Sequence, residues 1–156
     1  MFRQEKKERM RKIIKDGKSL LIAFDHAVEH GPIAYPNIDL NPLRISKIAV
    51  DGNANGIILH SGAARLVKDY LPKDFALIVK LTARTSLVND KNHVQSVVTT
   101  VDEAKIIGAD GVAFTIYLGS DYEYKMLEDF AQVKKRCLEL GMPLIGFMYP
   151  RSPKYK

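Results

Sequence analysis

Leu20–Pro32 reads LLIAFDHAVEHGP: an apolar run, Leu20–Phe24, that breaks into Asp25, His26, Glu29 and His30. Bounded by Gly17 on one side and Gly31-Pro32 on the other, the run suits a short strand covered on both faces. Open and closed α/β sheets place their chemistry at the C-terminal ends of such strands. Desolvating four titratable groups together gains a structural protein little, so this segment is the first candidate for a catalytic or binding site.

The same pattern recurs along the chain. Ile57–His60, Phe75–Leu81, Gly111–Tyr117 and Pro143–Met148 are further buried-strand candidates. Between them, Leu43–Val50, Ala63–Tyr70 and Tyr122–Leu140 read as helices, with Leu43, Ile48 and Val50 as the apolar set of the first. The long last helix carries Met126, Phe130, Val133, Cys137 and Leu140 on one face and ends at Gly141. Thr100 and Glu103 stand at capping-box spacing before a helix that Gly108 closes. Val94–Thr99 fits either a small extra strand or part of a crossover. Residues 2–16 form an amphipathic helix stopped by Gly17. Alternating strands and helices imply a parallel sheet with right-handed crossovers.

Length and composition set outer bounds. At 156 residues the chain suits a single domain, residues 1–156, with an N-terminal helix in 1–18 and five strands with their helices in 19–151. No apolar run nears the ~20 residues of a membrane span, and MFRQEKKERMRK has no signal-peptide character, so a cytoplasmic protein with no membrane partner is expected. The lone Cys137 excludes an internal disulfide and reads as inert. Net charge is +6, but residues 1–18 carry +5 and 151–156 carry +3, leaving −2 on the other 132. Basicity confined to the ends, without interleaved aromatics, argues against a nucleic-acid partner.

With parallel strands, one face collects Asp25, His26 and His30, then His60 and Ser61, then Lys80, Thr82 and Arg84. Thr115, Tyr117 and Ser120 follow, and Tyr149 and Arg151 complete it. The histidines lack HExxH-type pairing, so no metal site is expected. Walker, GxGxxG and GxSxG motifs are absent, which removes local support for a nucleotide cofactor or serine hydrolysis. Cations and histidines suit an anionic, oxygen-rich ligand such as a sugar phosphate, and Asp25 and Tyr149 offer groups for proton transfer. Lys80 admits two readings, a desolvated nucleophile or an ion-paired lysine at the mouth, of which the second is preferred. His26 and His30 also suit satisfying backbone groups in the Gly-Pro turn, and Tyr149 before Pro150 also suits a packed aromatic.

GKSLLIAFDHAVEHGP, IVKLTARTSL, GADGVAFTIYLGS with YEYKMLEDFAQVKKRC, and PLIGFMYPR together resemble the archaeal-type class I fructose-1,6-bisphosphate aldolases. Those belong to the (β/α)8 barrel superfamily that also holds the 2-amino-3,7-dideoxy-threo-hept-6-ulosonate synthases; EHGP and TIY lean towards the aldolase branch. The resemblance implies an incomplete TIM-type α/β barrel and a metal-free, cofactor-free Schiff-base cleavage of fructose 1,6-bisphosphate. Asp25 takes the place of the assisting aspartate and Tyr149 that of the general acid/base. His26, His30, His60, Phe147 and Arg151 fall at substrate-contacting positions. The family's YPRG reads YPRS here, with Ser152 in place of glycine. By the same resemblance, the Schiff-base lysine belongs to a sixth strand and the main phosphate loops to the seventh and eighth, beyond Lys156. The expectation is an N-terminal part, inactive alone, that self-associates or joins a chain carrying the other strands. A non-catalytic sugar-phosphate-binding or assembly module is the alternative of a different class.

Overall fold

A computed structural model describes residues 2–29, 41–87 and 93–151. Their elements are α1 (Phe2–Ile13), β1 (Leu21–Phe24), the one-turn α2 (His26–Glu29), α3 (Pro42–Asp51), β2 (Gly56–His60) and α4 (Ser61–Val67). After a 3-10 turn at Lys68–Tyr70 come β3 (Ala76–Lys80), β4 (Thr82–Ala83), β5 (Ser96–Val97), α5 (Val101–Ile107), β6 (Gly111–Leu118), α6 (Glu123–Glu139) and β7 (Leu144–Pro150). Five strands form one parallel sheet in the order β1-β2-β3-β6-β7, and β4 pairs antiparallel with β5.

The period-two alternation of a strand sorts the side chains into two cores. On the helix-covered face, Ile57, Leu59, Leu77, Val79, Val112, Phe114 and Ile116 pack with Val67, Ala104, Met126 and Cys137 of the helices. On the other face, Ile58, Ala76, Ile78 and Ala113 meet Ile13 of α1. Helix α1 therefore closes the N-terminal end of this second face. Its Arg9 Nη1 donates to the Leu140 and Gly141 carbonyls at the end of α6, at 3.2 and 3.0 Å, where the helix leaves carbonyls without partners. Lys12 pairs with Asp110 at 2.8 Å.

Local chemistry accounts for the element ends. Thr100 Oγ1 accepts from the Glu103 amide at 3.1 Å, and Gly108 takes φ 95°, as the capping residues predict. The expected α6 face is observed, with Met126, Val133 and Cys137 buried. Three expectations change. Helix α1 stops at Ile13, not at Gly17, because Asp16 (φ 52°) and Gly17 (φ 74°) form a tight turn in which Lys15 and Lys18 exchange both backbone hydrogen bonds. The buried face of α3 is Ser46 and Ala49 with Ile45 and Val50 packed beside them, whereas Leu43 and Ile48 are exposed. Small residues are needed there because α3 lies close against α4 and β2. Finally, the strand begins at Leu21, leaving Leu20 53% exposed before it, and β1 is only partly covered on its two faces because it is an edge with a neighbour on one side among the described residues.

Val94–Thr99 resolves as β5 and its flanks. Strand β3 runs beside β6 as far as Lys80, after which Thr82-Ala83 turns away to pair with Ser96-Val97. The Thr115 amide, which loses a backbone partner at this split, donates to Thr82 Oγ1 at 3.1 Å.

Gly56 opens β2 directly against β3. A Cβ there would collide with the Ala76 carbonyl and lie 2.7 Å from Ala76 Cβ. Gly56→Ala should destabilise the chain by about 1–3 kcal/mol through overpacking, read as a lower urea midpoint with an unchanged slope.

Candidate active site

The parallel register carries the site. Ladder pairs His60↔Lys80 and Lys80↔Ala113 set β2, β3 and β6 level, and Tyr117↔Tyr149 joins β6 to β7. On the face opposite the main core, the upper positions are Asp25, His60, Lys80, Thr115, Tyr117, Phe147 and Tyr149. Lys80 lies at the centre and is 3% exposed. Its ammonium donates to the carboxylates of both Asp25 and Glu29. Here β1 hands over to α2, whose single turn brings Glu29 back over the strand end occupied by Asp25.

Burial works against both charges, and the pairing outweighs it. Desolvation alone would raise the Asp25 carboxyl, yet the hydrogen bond and charge of Lys80, helped by His26, hold it below the ordinary carboxylate range. Desolvation alone would lower Lys80, yet hydrogen bonds and charge from Asp25 and Glu29 hold it above the ordinary lysine value. A lysine so held is an ammonium at neutral pH, as the ion-paired reading expects. His60 is pushed down, first by burial and then by the Lys80 charge, and is neutral; its Nε2 has no hydrogen-bond partner. His26 Nδ1 lies 3.7 Å from Asp25 Oδ1.

A second group sits beside the first. Tyr149, half-exposed on β7, has its ring 6.1 Å from Tyr117 and 6.5 Å from Phe147, and the Arg151 guanidinium lies 5.6 Å from both tyrosine rings. Phe147 in turn lies 5.9 Å from the Lys80 ammonium. Gln95 bridges the groups: its Nε2 is 3.2 Å from each Glu29 carboxylate oxygen and 3.0 Å from the Tyr117 hydroxyl. Hydrogen bonds run from Asp25 through Lys80, Glu29 and Gln95 to Tyr117, and a ring contact continues to Tyr149, so that a chain of contacts joins the two residues that the sequence proposes for proton transfer. Glu29, Arg84, Ser86, His93, Tyr117 and Arg151 line a cleft of about 200 Å³ at its outer end.

Of the residues singled out in the sequence, Asp25, His26 and His60 gather around Lys80, while Phe147, Tyr149 and Arg151 gather on β7; His30 lies outside the described residues. Sequence reasoning gave no role to Glu29, although it named the residue, and it passed over Gln95. No motif marks Gln95; only the pairing of β5 with β4 brings it to the site. Among the described residues, no three His, Cys, Asp or Glu side chains are grouped to hold a metal ion, and no helix is long and apolar enough to cross a membrane.

A parallel sheet of five strands, helices on one face and ionisable groups at the strand C-termini on the other, is part of a (β/α)-barrel of the aldolase type. The chain belongs to the DeoC/LacD aldolase family, whose profile matches residues 19–156. It is 36% identical over 140 residues to the class 1 fructose-bisphosphate aldolase of Thermoproteus tenax, covering 88% of this chain and 52% of that protein. It is 32% identical over 147 residues to 2-amino-3,7-dideoxy-D-threo-hept-6-ulosonate synthase 1 of Archaeoglobus fulgidus, covering 94% of this chain and 54% of that protein. A solved archaeal fructose-1,6-bisphosphate aldolase, with its catalytic lysine bound to the carbinolamine intermediate, superposes with a TM-score of 0.84 at 33% identity. That likeness covers 97% of this chain and 60% of the solved one. The chain therefore spans little more than half the length of these relatives.

Removing the buried cation leaves two carboxylates facing each other. Lys80→Met should cost about 3–5 kcal/mol at pH 7 in urea unfolding. In the parent, the low Asp25 value contributes stability above about pH 3.9 that is lost as pH falls through the depressed native value. Without Lys80 that contribution disappears, so the deficit of the variant should hold from about pH 7 to about pH 4 and narrow as pH falls further.

Proposed function

We propose that this chain supplies the Asp25–Tyr149 portion of a class I, Schiff-base fructose-1,6-bisphosphate aldolase. The observation that carries the reading is the clasped Lys80 ammonium beside an ionised Asp25, with a half-exposed tyrosine on the same strand-end face, in a chain whose relatives are named for this activity. Cleavage of the C3–C4 bond needs an amine that turns the C2 carbonyl into an iminium, which takes up the electron pair as an enamine. It also needs a group that removes the C4 hydroxyl proton. Tyr149 is suited to that proton transfer, with Arg151 and Tyr117 fixing its ring. Asp25, kept ionised by Lys80, suits the proton transfers of carbinolamine formation and breakdown. His26, His30, His60, Phe147 and Arg151 serve as substrate contacts, neutral His60 offering an unpartnered ring nitrogen to a sugar hydroxyl.

Lys80 is held as an ammonium, so the amine comes from another strand. Strands β1 and β7 each have one free edge among the described residues, and Met148 and Tyr149 are 43% and 44% exposed along β7. An uncovered edge of this kind favours addition of a strand. In this reading the remaining strands of the barrel, from the same or another polypeptide, cover both edges and bring the nucleophile and phosphate loops. The assembled enzyme works in the cytoplasm as an oligomer on a free sugar phosphate. The relative from Archaeoglobus fulgidus supports a second reading, a related synthase acting on a different keto-sugar phosphate.

Borohydride reduction in the presence of fructose 1,6-bisphosphate should leave no adduct on residues 1–156 alone and one adduct in the completed barrel. An adduct on the chain alone that Lys80→Met abolishes would refute the assignment of Lys80 as a fixed cation. In the completed enzyme Tyr149→Phe should lower kcat by about 10²–10⁴-fold with little change in KM. Turnover of a different keto-sugar phosphate, with none of fructose 1,6-bisphosphate, would favour the synthase.

A further inference from the structure

Lys80 poses a problem of selectivity. It is a primary amine at the mouth of a site that, on the proposed reading, receives a carbonyl compound, and in its neutral form it would compete for that carbonyl. Two carboxylates keep it protonated, but they are not anchored equally. Asp25 follows directly on β1, whereas Glu29 ends a four-residue helix that has no buried residue. Gln95 also grips Glu29, reaching it across 66 positions of sequence. Gln95 itself is fixed: it is 3% exposed, precedes the β5 pairing, and is oriented by the Tyr117 hydroxyl. Its Oε1 is buried with no partner. A buried amide that leaves its acceptor unsatisfied while turning its N–H groups to a carboxylate and a phenol is arranged around those two groups.

We propose that Gln95 is a positioning residue that holds Glu29 against Lys80, locking the β3 lysine as a cation and keeping it from reacting with the carbonyl substrate. The groups facing Lys80 are Asp25 from the end of β1, Glu29 from α2, His60 from β2 and Phe147 from β7. Of these, the two carboxylates raise its proton affinity, and Gln95 controls one of them. The idea rests on the aldolase reading only for its consequence, since the state of Lys80 can be measured without turnover.

The test is reductive methylation with formaldehyde and cyanoborohydride, followed by peptide mass spectrometry, from about pH 8 to about pH 11. Exposed Lys73 serves as the internal standard. In the parent, Lys80 should react at least tenfold more slowly than Lys73. In Gln95→Met the pH midpoint for Lys80 should fall by about one unit, read as a tenfold gain in rate on the rising limb below it, with the rate of Lys73 unchanged. Loosened packing alone would raise the rate on the Glu29→Gln background as well. Glu29→Gln should lower the midpoint at least as far, and adding Gln95→Met to it should produce no further shift. Should Gln95→Met fail to fold, Tyr117→Phe, which removes the oxygen that orients the amide, should give a smaller shift in the same direction. An unmoved midpoint in the Gln95 variant, or full additivity with Glu29→Gln, overturns the proposal. Absence of aldolase turnover bears on the proposed function and leaves this measurement unaffected.

Discussion

The Lys80 ammonium, buried at the end of a central strand, is the constraint on which the rest of the upper sheet depends. A bare cation at that depth would lose its proton or pull the strand apart. Asp25 and Glu29 therefore have to reach it, and that requirement fixes how the chain leaves β1: one residue out of the strand, then a single helical turn. The opening segment looks the way it does because both carboxylates answer one lysine on β3.

Parallel pairing turns this local need into a site. With β2, β3, β6 and β7 in register, side chains that alternate off the helix-packed core must point to the other face, of which α1 covers the N-terminal end among the described residues. Low on that face the residues are Ile58, Ala76, Ile78 and Ala113, sealed by Ile13 of α1. High on it they become His60, Lys80, Thr115 and Tyr117. Each strand thus changes from apolar to polar over about two residues, and the change comes one alternation later on β6 and β7, where Ala113 and Ile145 stand level with Lys80.

That change of character is why much of the architecture was legible beforehand. Runs such as Ile57–Leu59 and Val112–Phe114 are buried on both faces and advertise themselves by composition. The edges were misread because burial depends on neighbours that composition does not reveal: Leu20 is as apolar as Leu59, yet lies beside a free edge. Helix α3 misled for a related reason, since close packing favoured Ser46 and Ala49 over the larger Leu43 and Ile48. Asp25, Tyr149 and the histidines stood out as ionisable groups at strand ends. Gln95 did not, being neutral, flanked by valine-rich sequence, and 66 residues from the carboxylate it grips.

The position of Gln95 depends on the break in β3. Had that strand continued beside β6 past Lys80, the space above Tyr117 would be filled by backbone. Instead Leu81 gives its amide to Ala113 and its carbonyl to Val98 and Thr99, so the chain turns out of the sheet at that residue. The Thr115 amide left behind is satisfied by the Thr82 hydroxyl, which prevents the split from stranding a buried donor. Thr82-Ala83 can then pair with Ser96-Val97, which sets Gln95 over Glu29 and brings Arg84 and His93 to the cleft beside Tyr117. A threonine at position 82 is thereby as much a part of the site as the groups that face the ligand, since any residue lacking a hydroxyl there leaves the Thr115 amide unpaired where the sheet opens.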